Sequence, residues 1–76
     1  MKRAELQKWL LKKFKINKKD LDKNIFEVSL LDSFNILVVI LEIEKKFKIK
    51  NFQKTIGVKK NQKINVLVKV LETKLN

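Results

Sequence analysis

The sequence predicts an all-α bundle, and three observations lead there. Apolar residues recur at helical spacing in three separate segments. The 76 residues include no Pro and one Gly, and no hairpin turn pair separates alternating apolar runs. A chain this short builds one small core, so residues 1–76 are read as a single domain, and 45% apolar content is enough to fold it despite 36% charged residues.

The first helix is placed over Arg3 to Phe14, where Leu6, Trp9, Leu10 and Phe14 share a face and Lys8 and Lys12 lie elsewhere. Trp9 is expected in the core. From Lys15 to Leu31 the periodicity is lost, and Asn17, Asp20, Asp22 and Asn24 supply turn chemistry. So long a loop needs anchors, and Ile16, Leu21, Ile25, Phe26 and Val28 are the side chains available.

The second helix is placed over Ser33 to Phe47. Ser29-Leu-Leu-Asp32 fits a polar cap followed three residues later by an acid, and Asp32 and Ser33 can each accept a backbone N–H at the helix start. Taken alone, Ser33 is therefore a capping residue. Phe34, Leu37, Ile40, Leu41 and Glu44 share a broad face, yet Ile36, Val38, Val39 and Ile43 make the helix apolar almost all round. Such a helix is either the most buried element or one with an exposed adhesive side.

Lys48 to Lys63 carries little pattern beyond Ile49, Phe52, Ile56 and Val58, and Asn61 to Lys63 reads as a polar loop. In the last segment Ile64, Leu67, Val68, Leu71 and Leu75 form a helical stripe to Leu75. Ile64 to Val70 also alternates, so a strand is the local alternative; the length and the ending favour helix.

Composition narrows the chemistry. With no Cys there is neither a disulfide framework nor a thiolate metal site, and with no His the commonest general base and metal ligand is missing. An autonomous enzyme is not expected. The net charge of +11 invites a nucleic acid or an anionic surface as partner, but Arg3 is the lone arginine among 19 basic residues. Bidentate contacts to bases and phosphates come from arginine, so this points away from nucleic acid. Abundant Asn and Ile beside Lys also fit a general compositional bias. No apolar leader opens the chain, and the longest apolar run, Ile36 to Leu41, is too short to span a bilayer, which makes a cytoplasmic location the expectation.

Against that basic background, Ile25 to Glu44 holds Glu27, Asp32, Glu42 and Glu44 and no Lys or Arg. The stretch Asn24 to Phe47, NIFEVSLLDSFNILVVILEIEKKF, resembles the prosthetic-group segment of the acyl carrier protein superfamily. There an Asp-Ser pair followed by Leu, Met or Phe opens the second helix, and a Glu-rich tail ending in Phe closes it. Within the superfamily the loop looks most like that of D-alanyl carrier proteins. The resemblance implies a small four-helix bundle, three long helices plus one short helix or turn near Phe52 to Val58. It implies that Ser33 accepts 4′-phosphopantetheine from coenzyme A, and that acyl or aminoacyl groups then travel as thioesters on the terminal thiol. Asp32 would bind the transferase's metal or orient Ser33, while Phe34, Ile36, Leu37, Val38 and Glu42 would form the partner docking face. The implied partners are a phosphopantetheinyl transferase, an acyl- or aminoacyl-loading ligase and a downstream transferase.

Two departures from the family pattern qualify this. The family usually has acids where Asn35 and Val38 stand, and acids or polar groups at Lys45 and Lys46. With that acidic stripe depleted, the expected partners have a more apolar or acidic docking face. The family also commonly has Gly at position 29 or 30, where this chain has Ser29 and Leu30, which bears on loop geometry. The competing expectations are a basic helical module that binds nucleic acid or an anionic surface, with Ser33 as a cap, and a degenerate carrier relative kept as a structural subunit.

Overall fold

A computed structural model describes residues 2–75. Three long helices carry the fold: α1 (Arg3–Phe14), α3 (Ser33–Phe47) and α5 (Ile64–Leu75), with short helices α2 (Ile25–Val28) and α4 (Phe52–Ile56) between them. Single 3-10 turns occupy Lys18–Asp20 and Lys59–Asn61. The architecture is a small, mostly helical domain. The long loop expected between Lys15 and Leu31 is more structured than its sequence suggests. Asn24 accepts the Phe26 N–H on its side chain and starts the one-turn α2, a span too short to show periodicity.

The core follows the three apolar stripes. Leu6, Leu10 and Phe14 of α1 meet Ile64, Leu67, Val68 and Leu71 of α5, and these two helices form the most extensive pairing. From α3 come Ile36, Val39, Ile40 and Ile43, and from α4 Phe52 and Ile56. Burial on the helical period decides against the strand alternative for Ile64 to Val70. The described residues contain one isolated antiparallel bridge, Asn24 to Lys63, and no strand.

That bridge belongs to a seam joining the two loop regions. Ile25 N–H donates to the Gln62 carbonyl at 2.7 Å, Asn24 Nδ2 donates to Gln62 Oε1 at 2.8 Å, and Gln62 Nε2 reaches the Ile56 carbonyl at 2.7 Å. Ile25, fully buried, anchors the first loop beneath this seam, with Ile16 buried beside it and Leu21 and Val28 packed against the core. Phe26 does not serve as an anchor; it is exposed, because the single turn of α2 places it opposite Ile25's side of the core. Trp9 lies half-buried at the edge of the core, edge-on to Phe47 with ring centroids 5.5 Å apart.

The helix ends are closed by local devices. Lys15 and Lys48 take the left-handed conformation after α1 and α3, with φ of 52° and 54°, and their N–H groups satisfy carbonyls of the preceding turn. Among the described residues no helix is long and apolar enough to cross a membrane.

Candidate functional site

The site is built where the first loop delivers the chain to α3. Ser29 holds the approach: its hydroxyl donates to the Phe14 carbonyl at the end of α1 and accepts the Leu31 N–H at 2.9 Å. Leu30 N–H adds a bond to the Lys15 carbonyl at 3.1 Å. Ser29 is thus not the N-cap of the long helix, as its spacing from Asp32 suggested. It closes α2 and ties the loop to α1, and the capping falls to Asp32.

Asp32 is extended, with φ −76° and ψ 170°. Its Oδ1 accepts the Asn35 N–H at 2.8 Å and Asn35 Nδ2 at 3.1 Å, while its carbonyl takes the Ile36 N–H at 3.0 Å. Ser33 follows as the first helical residue and is exposed. With the cap supplied by Asp32, the Ser33 hydroxyl has no intramolecular hydrogen bond among the described residues. The amides of Ser33 and Phe34, which precede the first intrahelical bond, lie at the same end.

Around Ser33 the surface is apolar. Leu30 is 86% exposed, Phe34 70%, Leu41 50%, Leu37 47% and Val38 36%. Of the five residues expected to form the docking face, Phe34, Leu37, Val38 and Glu42 lie on the outside of α3, and Ile36 does not. Ile36 is fully buried, because it falls one turn ahead of Val39 and Ile40 on the stripe that continues to Ile43. Ile40 leaves the face once shared with Phe34, Leu37 and Leu41 for the same reason. Leu30 and Leu41 belong to the exposed surface and were not among the residues expected to form the docking face, although Leu41 was placed on one face with Phe34 and Leu37. Their signals were present: Leu30 precedes the cap and has no helix to bury it, and Leu41 stands seven residues after Phe34.

The acids of α3 are engaged at its flanks. Glu42 pairs with Lys13 of α1 at 3.3 Å, and Glu44 accepts the Gln53 N–H at the start of α4 at 3.2 Å. Among the described residues no three acidic side chains gather to hold a metal ion, and Asp32 is the carboxylate adjacent to Ser33 in the chain.

No family model, curated protein or solved structure matches the chain. What the site can do therefore rests on its residues. Ser33 does not line the surface cavity of about 440 Å³ between the end of α1 and the first loop, nor that of about 250 Å³ between α1 and α5. Ser33 sits on an open helix end with an acceptor-ready hydroxyl and no histidine in the chain to activate it.

Proposed function

We propose that the chain is an acyl or aminoacyl carrier whose Ser33 bears a 4′-phosphopantetheine arm. The observation that carries this reading is the exposed Ser33 hydroxyl at the first position of α3, relieved of capping by Asp32 and ringed by exposed Leu30, Phe34 and Leu37. It joins the resemblance of Asn24 to Phe47 to the prosthetic-group segment of carrier proteins.

The residues present fit such a group. A phosphodiester on Ser33 Oγ would lie at the positive end of the 15-residue helix α3, near the Ser33 and Phe34 amides. Attachment forms a bond from Ser33 Oγ to the pantetheine-side phosphorus of coenzyme A and breaks the pyrophosphate link. Adenosine 3′,5′-bisphosphate leaves, and the Ser33 proton passes to a base of the phosphopantetheinyl transferase. Asp32, adjacent to Ser33, holds the start of α3 and would offer its carboxylate to that enzyme's metal. When bound, the arm supplies a terminal thiol that carries the cargo as a thioester. A loading ligase and a downstream transferase would dock on Phe34, Leu37 and Val38, beside the Glu42–Lys13 pair.

On the rival nucleic-acid reading, the lone arginine, Arg3, is paired through Nε with Glu72 at 2.7 Å between α1 and α5. Intact-protein mass after incubation with coenzyme A and a broad-specificity phosphopantetheinyl transferase tests the proposal. One added phosphopantetheine on the wild type and none on Ser33→Ala is the expected result. A folded wild-type chain that gains nothing, from this enzyme and from the host's own transferase, would sink it.

A further inference from the structure

The exposed apolar side chains near Ser33 are flanked by lysines. Leu30 borders the cavity between α1 and the first loop, whose lining includes Lys12, Lys15 and Lys19. On α3, Lys45 lies four residues after Leu41 on the same exposed side, and Lys48 follows at the helix end. Of the carboxylates near this face, Glu42 is paired with Lys13 and Asp20 with Lys23, whereas Asp32 and Glu44 accept amide N–H groups and keep their charge. With Glu27 of α2 that leaves three acids without a lysine partner against the five lysines Lys12, Lys15, Lys19, Lys45 and Lys48. The result is an exposed apolar face with a local excess of lysines at its borders.

From this we infer that the face formed by Leu30, Phe34, Leu37 and Leu41 docks on an anionic lipid surface, with Leu30 and Phe34 inserted among the acyl chains and the flanking lysines on the headgroups. Exposure and charge favour lipid over other partners. Leu30 and Phe34 are the two most exposed apolar side chains, and a fluid bilayer receives such side chains without a matching surface. Lysine is a point charge suited to headgroup phosphates, and a modest apolar anchor binds stably when a polybasic patch supplies the second signal. Trp9 is not available to this face, being edge-on to Phe47 with Lys46 Nζ 5.6 Å from its ring centre. Because Leu30 and Phe34 bracket Ser33, docking brings that hydroxyl to the interface. The inference does not depend on Ser33 being modified.

The test is co-sedimentation of the full chain with vesicles of phosphatidylcholine alone and of phosphatidylcholine mixed equally with phosphatidylglycerol. Binding is expected for the anionic vesicles and not for the neutral ones. The variant Leu30→Ser/Phe34→Ser should weaken it by about tenfold or more, from the apolar surface lost. Lys12→Gln/Lys15→Gln/Lys19→Gln should weaken it by a similar or larger factor, about fivefold per lysine at the surface. All these positions are exposed or on a loop end, and circular dichroism checks that each variant is folded. No binding to anionic vesicles overturns the inference, as does binding that Leu30→Ser/Phe34→Ser leaves unchanged, since that is adsorption by charge alone. Equal binding to polyglutamate or to a single-stranded oligonucleotide, with the same loss in Leu30→Ser/Phe34→Ser, would assign the face to an acidic protein or nucleic acid instead. A dimer of the free chain that Phe34→Ser dissociates would assign it to a second copy. Running the vesicle assay on Ser33→Ala separates this result from the carrier proposal, because lipid binding should persist there.

Discussion

The Ser29 hydroxyl donates to the Phe14 carbonyl across 15 residues of sequence, and so fastens the segment leading to α3 onto the last turn of α1. The same oxygen accepts the Leu31 N–H, which makes one side chain responsible for both the end of α1 and the approach to Ser33. Replacing it by Ala leaves a part-buried carbonyl and an amide without their partner. Ser29→Ala is expected to lower stability by about 1–3 kcal/mol, read from the midpoint of urea unfolding. An unchanged midpoint would show that water replaces the hydroxyl at no loss.

Asp32 caps α3, and the proposed part in phosphopantetheine transfer can be separated from that by substitution. Asp32→Ala removes the acceptor for the Asn35 N–H and should cost about 1 kcal/mol of stability. Asp32→Asn keeps a capping oxygen and should retain most of that stability, while the rate of phosphopantetheine transfer to Ser33 falls because the negative charge is gone. Thermal unfolding and intact-mass time courses on the two variants read the roles apart. Full modification of Asp32→Asn at the wild-type rate would limit Asp32 to capping.

The two faces of α3 should respond oppositely to truncation. Ile36→Ala empties a fully buried position and should destabilise by about 2–5 kcal/mol. That is a large share of the roughly 4–11 kcal/mol available to a domain of this size. Leu37→Ala, on the exposed side, should change stability by no more than about 0.5 kcal/mol and act on partner docking instead. Equal losses in denaturant unfolding would contradict the assignment of Ile36 to the core.

Lys48 ends α3 in the left-handed region at φ 54°, where a side chain is strained and Gly is not. Lys48→Gly should stabilise the fold by about 0.5–1 kcal/mol, less than the 1–2 kcal/mol backbone penalty because Gly also gains freedom in the unfolded chain. A rise in the thermal midpoint checks this, and a fall would mean that the Lys48 side chain stabilises more than its backbone geometry costs.

The three long helices and the position of Ser33 at the opening of α3 were legible in the sequence, because their apolar residues repeat on the helical period and their starts and ends are chemically marked. Leu6, Leu10 and Phe14 in α1 and Ile64, Leu67, Val68 and Leu71 in α5 announce one buried face each, and the core uses those faces. Composition alone also set the chemistry available, since a chain without His or Cys has no imidazole or thiolate to use. Tertiary structure decided what local pattern left degenerate. In α3, apolar on nearly every side, only the positions of α1 and α4 select Ile36, Val39, Ile40 and Ile43 for burial and leave Phe34, Leu37 and Leu41 outside. Ser29 and Asp32 were both plausible caps by spacing; the carbonyl of Phe14, distant in sequence, draws the Ser29 hydroxyl away and leaves the cap to Asp32. The short α2 depends likewise on Gln62, whose carbonyl receives the Ile25 N–H. Periodicity and capping are properties of neighbours along the chain, whereas the choice among equivalent faces and equivalent hydroxyls is made by groups that only folding brings near.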